Sequence, residues 1–224
     1  MKKVLCFLFL MISLLSYSQK DSLQLGDRYA DDQLYLSVTY NQLYSQPTGV
    51  KGSGFSYGFS GGILQDIILN KKGSFSVALG LGYNYDFLNQ ALKIEEINNT
   101  PTFSIDENLK LNEFRLHAIE FPVEFRLRTS DANKYKFWRL YAGVKFSYNL
   151  HNKFNFTDEN DASFEFSNIT GFNKFQYGIT LSAGYDLVTF HVYYGLKPLF
   201  KNGFIGAESV NTKLLKMGLI FYIL

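Results

Sequence analysis

The chain has 224 residues, with 22 Lys and Arg against 20 Asp and Glu, and a formal charge of only +2. So balanced a charge argues against a polyanion-binding protein, and 17% aromatic residues with only 4 Pro argue against a disordered one. A single Cys excludes an internal disulfide framework, and a mean hydropathy of −0.07 is too polar for a protein of many membrane helices.

Residues 1–18 read MKKVLCFLFLMISLLSYS. Lys2 and Lys3 precede an apolar run from Val4 to Leu15, and a Ser-rich stretch ends at Gln19. This is the pattern of a cleaved secretory signal peptide, and the run is shorter than the ~20 residues a spanning helix needs. Cys6 lies inside it and leaves with it. So do Lys2 and Lys3, which brings the basic residues from 22 to 20, equal to the acidic count. Residues 19–32 are polar and aperiodic, and are expected to form a periplasmic leader.

From residue 33 to 224 a period of two prevails. Between Phe75 and Phe87 every odd position is bulky and apolar or aromatic, and every even position is Ser, Ala, Gly, Asn or Asp. Successive side chains of a strand point to opposite faces, so these thirteen residues read as one strand. The same pattern predicts eight strands, at about 33–44, 53–69, 74–88, 112–129, 136–150, 173–187, 188–200 and 211–224. Most exceed the ~9–11 residues that cross a bilayer at a tilt. The links after the second, fourth and sixth strands are short. Those after the first, third, fifth and seventh are longer, at about 45–52, 89–111, 151–172 and 201–210.

Long loops at one end and short turns at the other are the asymmetry of outer-membrane barrels. The expected fold is all-β, an eight-stranded antiparallel up-and-down transmembrane β-barrel with both mature termini periplasmic. A soluble barrel would alternate too, but would carry Lys and Glu outward. Here the less apolar face of the third and sixth strands is mainly Gly, Ser, Ala, Thr and Asn, which suits a narrow lumen, while the bulky face suits lipid.

On that assignment Glu120, Glu124, Arg126, Arg128, Arg139 and Lys145 face the lumen from the fourth and fifth strands. They form either an ion path or a salt-bridge plug. An eight-stranded barrel is just wide enough for side chains to fill, which favours the plug. Pro122 cannot donate to the ladder, so a bulge or irregularity is expected in the fourth strand, near the phase change at His117 and Ala118. His117, His151 and His191 match no HExxH spacing and have no Cys to join, so neither a metal nor another cofactor is expected. His191 is expected in the lumen and His151 at the outer rim. No nucleophile motif or phosphate loop is present, and no catalytic residue is assigned.

The long loops are the expected contact surface. Phe154, Phe156, Phe164 and Phe166 lie in 151–172 as exposed aromatics expected to meet a partner; for Phe164 and Phe166 the alternative is a hairpin that only extends the barrel.

The whole pattern resembles the PorT-like outer-membrane β-barrel family of Bacteroidetes. The resemblance rests on the signal ending Ser18-Gln19, the Gly/aromatic strand Phe75–Phe87, the segment Ala118-Ile119-Glu120-Phe121-Pro122-Val123-Glu124-Phe125 and the final Phe221-Tyr222-Ile223-Leu224, where Leu224 departs from the usual terminal aromatic. It implies an integral outer-membrane protein without a catalytic site. Its implied partners are outer-membrane lipid and lipopolysaccharide, the barrel-insertion machinery, and a protein at the surface loops or the periplasmic side, with no nucleic acid. Some relatives serve protein secretion, so an accessory secretion component is one alternative reading. A soluble ligand-binding barrel and a lipid-modifying barrel enzyme are the others.

Overall fold

A computed structural model describes residues 32–50, 54–70, 73–97, 100–129, 138–186 and 188–223. The signal segment, residues 19–31 of the leader, the link 130–137, Lys71, Lys72, Leu187 and Leu224 lie outside the described residues.

The alternating segments form the strands β1 (Asp32–Tyr44), β2 (Tyr57–Ile68), β3 (Phe75–Asn89), β6 (Leu111–Arg128), β7 (Trp138–Thr157), β9 (Phe175–Tyr185), β10 (Val188–Gly195) and β13 (Lys213–Ile223). Each pairs antiparallel with its neighbour in this order, and β13 pairs back onto β1, from Leu34 opposite Ile223 to Tyr44 opposite Lys213. The sheet is therefore a closed eight-stranded barrel. Closure satisfies every strand edge within the chain, as a lipid environment requires.

The faces are as the alternation predicts. Leu36, Val38, Ile63, Leu79, Leu81, Leu140, Ile179 and Leu181 point outward and are about half exposed. Ser37, Thr39, Ser60, Ser76, Asn84, Thr180 and Ser182 point inward and are buried. Trp138 and Tyr185 meet in a tilted contact near the short-turn end at 5.1 Å between rings, and Tyr40, Tyr83, Tyr148 and Phe175 mark the other end of the apolar band. Trp138 and Tyr148 are ten residues apart on β7. At ~3.3 Å per residue and a ~40° tilt this gives a band about 25 Å tall, the height of a hydrocarbon core between aromatic girdles.

The long connections are not bare loops. Residues 89–111 contain the hairpin β4 (Leu92–Ile97) and β5 (Thr100–Ile105), and 201–210 contain β11 (Phe204–Ile205) and β12 (Glu208–Ser209). The expected loop 151–172 is corrected most. β7 runs on to Thr157, and β8 (Ser163–Ser167) pairs with it from Lys153 opposite Ser167 to Thr157 opposite Ser163. β10 ends at Gly195 rather than at 200, just before Pro198, which has no N–H to continue a ladder.

The loop end has its own apolar core. Phe114, Phe154, Phe156, Phe172, Phe200, Leu88, Leu92 and Ile94 are all buried there. Phe114 is its centre, with ring centroids 5.6 Å from Phe172, 5.9 Å from Phe200 and 6.2 Å from Phe154. This corrects the assignment of Phe154 and Phe156 as contact aromatics. Both are interior, because the register shifts between His117 and Ala118. His117 faces His151 while Ala118 faces Asn149, so Leu150 is an extra residue on β7. One inserted residue swaps the faces of a strand, so even-numbered residues point to lipid below Leu150 and inward above it. Of the four Phe, Phe164 alone is exposed; Phe166 packs half-buried against the core.

Pro122 perturbs the other side of β6. Leu79 pairs with Val123 and Gly82 with Glu120, but the ladder lapses between them, without any change of register. The irregularity expected at Pro122 is this gap, and the bulge belongs to β7.

Candidate functional site: the barrel lumen

The inward residues of all eight strands meet in a narrow interior. Among the described residues, four carboxylates (Asp66, Asp86, Glu120, Glu124) and four cations (Arg126, Arg128, Lys145, Lys216) are buried. Unpaired charges at such depth would each cost several kcal/mol. The pairing is correspondingly complete, and it falls into three tiers.

Nearest the loop end, the Lys216 ammonium donates to Asp86 Oδ2 at 2.7 Å and to Asn84 Oδ1 at 3.0 Å. Asn41 Nδ2 donates to Asp86 Oδ1 at 2.8 Å, and the Thr39 hydroxyl donates to Asn41 Oδ1 at 2.8 Å. In the middle tier Glu120 is held from two sides. The Tyr35 hydroxyl donates to its Oε1 at 2.7 Å, and Lys145 Nζ lies 3.2 Å from its Oε2. Nearest the short turns, Arg126 donates from Nε to Glu124 at 2.9 Å and from Nη1 to Asp66 at 2.7 Å and to Gln33 at 2.9 Å. Its guanidinium also lies over the rings of Tyr141 at 4.8 Å and Tyr222 at 5.0 Å. Arg128 reaches the second Asp66 oxygen at 3.2 Å and donates to the Gly73 carbonyl at 2.7 Å.

All six charged residues anticipated from β6 and β7 therefore face inward, but they do not form one cluster. Glu120 and Lys145 pair across the two strands. Arg126 is matched within its own strand by Glu124 and across the lumen by Asp66. Arg139 is half-buried and lies 5.9 Å from the Tyr222 ring. Sequence reasoning missed Asp66, Asp86 and Lys216, which supply the balancing charges from β2, β3 and β13. Their signal was available: each occupies the inward parity of a strand already recognised.

The three histidines separate. His117 faces outward, with Nδ1 2.5 Å from the Tyr83 hydroxyl and its ring 6.0 Å from that of His151. His191 is buried in the lumen, and its Nδ1 is 2.8 Å from Ser182 Oγ on the neighbouring strand. This hydroxyl–imidazole pair is one the local sequence could not reveal, because β9 and β10 bring it together through register alone. Among the described residues, no group of three His, Cys, Asp or Glu is arranged to hold a metal ion.

A small cavity of about 40 Å³ lies between the Lys216 and Glu120 tiers and the apolar core of the loop end. Such a space holds a few waters at most.

The sequence pattern of the outer membrane protein beta-barrel domain matches residues 17–201, most of the chain. No curated protein matches the sequence. Among solved structures, the chain is 13% identical to Ail, the attachment invasion locus protein of Yersinia pestis, covering 85% of this chain and 97% of that one with a TM-score of 0.33. The same protein in complex with the heparin analogue sucrose octasulfate gives 13% identity, coverage of 86% and 99%, and a TM-score of 0.35. A mutant of the Rh. blastica porin gives 8% identity, coverage of 87% and 100%, and a TM-score of 0.22. With a closed eight-stranded barrel, an apolar outer band and the domain match in hand, the chain belongs to the outer membrane protein beta-barrel domain family and is a protein of the outer membrane.

Proposed function

We propose that the chain is a sealed, non-conducting barrel with a structural or interaction role, and that its loop end is the contact face. The observation that carries this reading is the lumen, where four buried carboxylates balance four buried cations and the cavity beside them measures about 40 Å³. A conducting pore needs a continuous polar path. Here the ionic tiers fill the barrel and the Phe114 core lies over them.

In this reading an amino-terminal signal is cleaved before Gln19, both mature termini lie in the periplasm, and the capped loops face outward. Membrane lipid and lipopolysaccharide surround the apolar band, the barrel-insertion machinery acts during biogenesis, and a protein partner meets the loops or the periplasmic side. Kinship with the PorT-like group of Bacteroidetes, and with it an accessory place in secretion, is supported by the Ala118–Phe125 segment. Ser182 and His191 are buried in the lumen beneath the loop-end core.

Orientation and exposure are tested by whole-cell labelling with a membrane-impermeant maleimide. Glu159→Cys at the loop end is expected to label in intact cells, and Thr129→Cys at the short-turn end only after the outer membrane is opened. The reverse pattern would remove the loop end as an outward contact face.

A further inference from the structure

β8 (Ser163–Ser167) is not one of the eight barrel strands, and closure of the barrel leaves it outside the ring of pairings. It pairs with β7 alone, from Lys153 opposite Ser167 to Thr157 opposite Ser163. Unequal strand heights are the cause. β9 begins at Phe175, opposite Tyr148, so beyond that point β7 has an edge that β8 fills. β10 ends at Gly195, and among the described residues no strand stands on the far side of β8. Lys153 lies five residues beyond Tyr148, the loop-side end of the apolar band on β7. At ~3.3 Å per residue and a ~40° tilt, the lower end of β8 stands about 13 Å clear of the band.

The ladder sets the direction of the free backbone groups. The Asp158 N–H donates to the Ala162 carbonyl at 3.0 Å, and the Asn168 N–H to the Asn152 carbonyl at 2.7 Å. In an antiparallel pair the bonded positions recur at every second residue, so Phe164 and Phe166 direct their N–H and C=O groups to β7. Those of Ser163, Glu165 and Ser167 point to the free edge. Three N–H and three C=O groups are thus presented in the spacing of a ladder, which an extended chain matches in series.

Natural proteins blunt such edges with Pro, Lys, a bulge or a covering element. β8 carries neither Pro nor Lys, its register with β7 is unbroken, and four of its five residues are exposed. Its one charge, Glu165, lies 2.8 Å from Lys153. The side chains set the pattern of a partner. Phe164 stacks on Phe156 at 4.8 Å but stays 42% exposed, so part of its ring is open to a neighbouring strand. An added strand would place apolar residues opposite Phe164 and Phe166, and polar ones opposite Ser163, Glu165 and Ser167, with a cation favoured at Glu165. A second copy of this chain fits poorly. Full pairing of two β8 strands, whether antiparallel or parallel in register, sets Glu165 beside Glu165, and facing like charges are unfavourable.

We propose that the free edge of β8 takes up an extended segment of a partner protein as an added strand, with the backbone of Ser163, Glu165 and Ser167 as its hydrogen-bonding groups. This site rests on the reading of the loop end as the contact face, but binding measured in detergent does not depend on which way that end points.

The probe is the blocked peptide acetyl-Thr-Val-Lys-Val-Thr-amide, with two further forms N-methylated at the Lys or at one Val. The protein is folded in an amine-oxide detergent, and binding is followed by saturation-transfer NMR. The expected result is saturable transfer to the parent peptide and to the Val-methylated form, and none to the Lys-methylated form, whose blocked N–H faces β8. Glu165→Pro removes the central N–H of the free edge and spares the ladder to β7, so it should weaken binding about tenfold. Glu165→Gln removes the charge alone and should change binding by no more than about threefold. Heat-modifiability on a gel confirms that each barrel is folded, and slow hydrogen exchange at the Phe164 amide confirms that β8 is still paired. Absence of transfer to the parent peptide in the wild-type protein overturns the proposal. Equal binding by folded Glu165→Pro and Glu165→Gln overturns it too, as does equal binding of all three peptides, since contact would then run through side chains alone. A wild-type dimer in detergent that is lost in Glu165→Pro also overturns it, and gives the edge to a second copy. If the maleimide pattern fails while the peptide binds, the outward orientation is lost and the strand edge stands.

Discussion

Tyr35 on β1 donates its hydroxyl to Glu120 on β6 at 2.7 Å, across two intervening strands. The register explains the reach. Tyr35 stands opposite Gly62, Gly62 opposite Gly82, and Gly82 opposite Glu120. Two glycines in a row leave the inner wall bare, and the Tyr35 ring lies in the space. A Cβ at Gly82 would overlap the Tyr35 hydroxyl, and one at Gly62 would come within 2.9 Å of the ring. The small-residue face of β3 is thus a bed for a tyrosine that tethers a buried carboxylate.

Gly82→Ala is expected to destabilise the barrel by about 1–3 kcal/mol through overpacking. Tyr35→Phe should cost about 1–3 kcal/mol, because Glu120 loses one of its two charge-compensating partners. The pair should be less than additive, since removing the hydroxyl relieves part of the overlap at Gly82. Urea titration of refolding into lipid vesicles measures all three. Strict additivity would mean that the two positions do not share this space.

Arg126 bonds Glu124, Asp66 and Gln33 at once, so Arg126→Met strands Glu124 and weakens the hold on Asp66. The expected loss is about 3–5 kcal/mol, as for one partner removed from a buried ion pair. Adding Glu124→Gln should recover part of it, because the stranded charge is then gone. The same urea titration reads the recovery, and a double variant as unstable as the sum of the singles would deny the pairing.

Much of this was legible in the sequence, because alternation is a strict geometric signal. The eight barrel strands, the lipid face and the inward direction of all six charges on β6 and β7 follow from counting by two. What alternation could not supply was a change in what lies inside. The phase change at His117 and Ala118 is not a bulge of β6, whose even residues face inward throughout. Below it the interior is polar, with Glu120, Glu124 and Arg126; above it the interior is the apolar core, with Leu116 and Phe114. The bulge is on β7 at Leu150, where no Gly or Pro announces it, and it turned Phe154 and Phe156 inward. Partners across the lumen, such as Asp66 for Arg126, depend on closure of the barrel and have no local signature.

The outward face is tested by charge. Leu81 and Leu181 are half exposed on the apolar band. Leu81→Arg or Leu181→Arg should cost about 2–4 kcal/mol near the bilayer midplane. Folding yield into vesicles, read by heat-modifiability, is expected to fall for both. Unchanged yields would place these side chains away from lipid.

The loop-end core should fail before the barrel does. Phe114 is fully buried against Phe154, Phe172 and Phe200, and Phe114→Ala should cost about 3–5 kcal/mol locally. Limited proteolysis is expected to cut faster within 89–111 and 158–174, while the gel shift of the folded barrel persists, as for a subglobal opening. Cleavage at wild-type rates would show that the core does not hold these segments.

A barrel sealed by ionic pairs and an apolar core conducts no ions. The most direct measurement is conductance of the purified protein in a planar lipid bilayer, with and without Glu124→Gln. No unitary conductance steps are expected for either form. Reproducible steps in the wild-type protein, with an amplitude or selectivity that changes in Glu124→Gln, would contradict it and make the lumen an ion path.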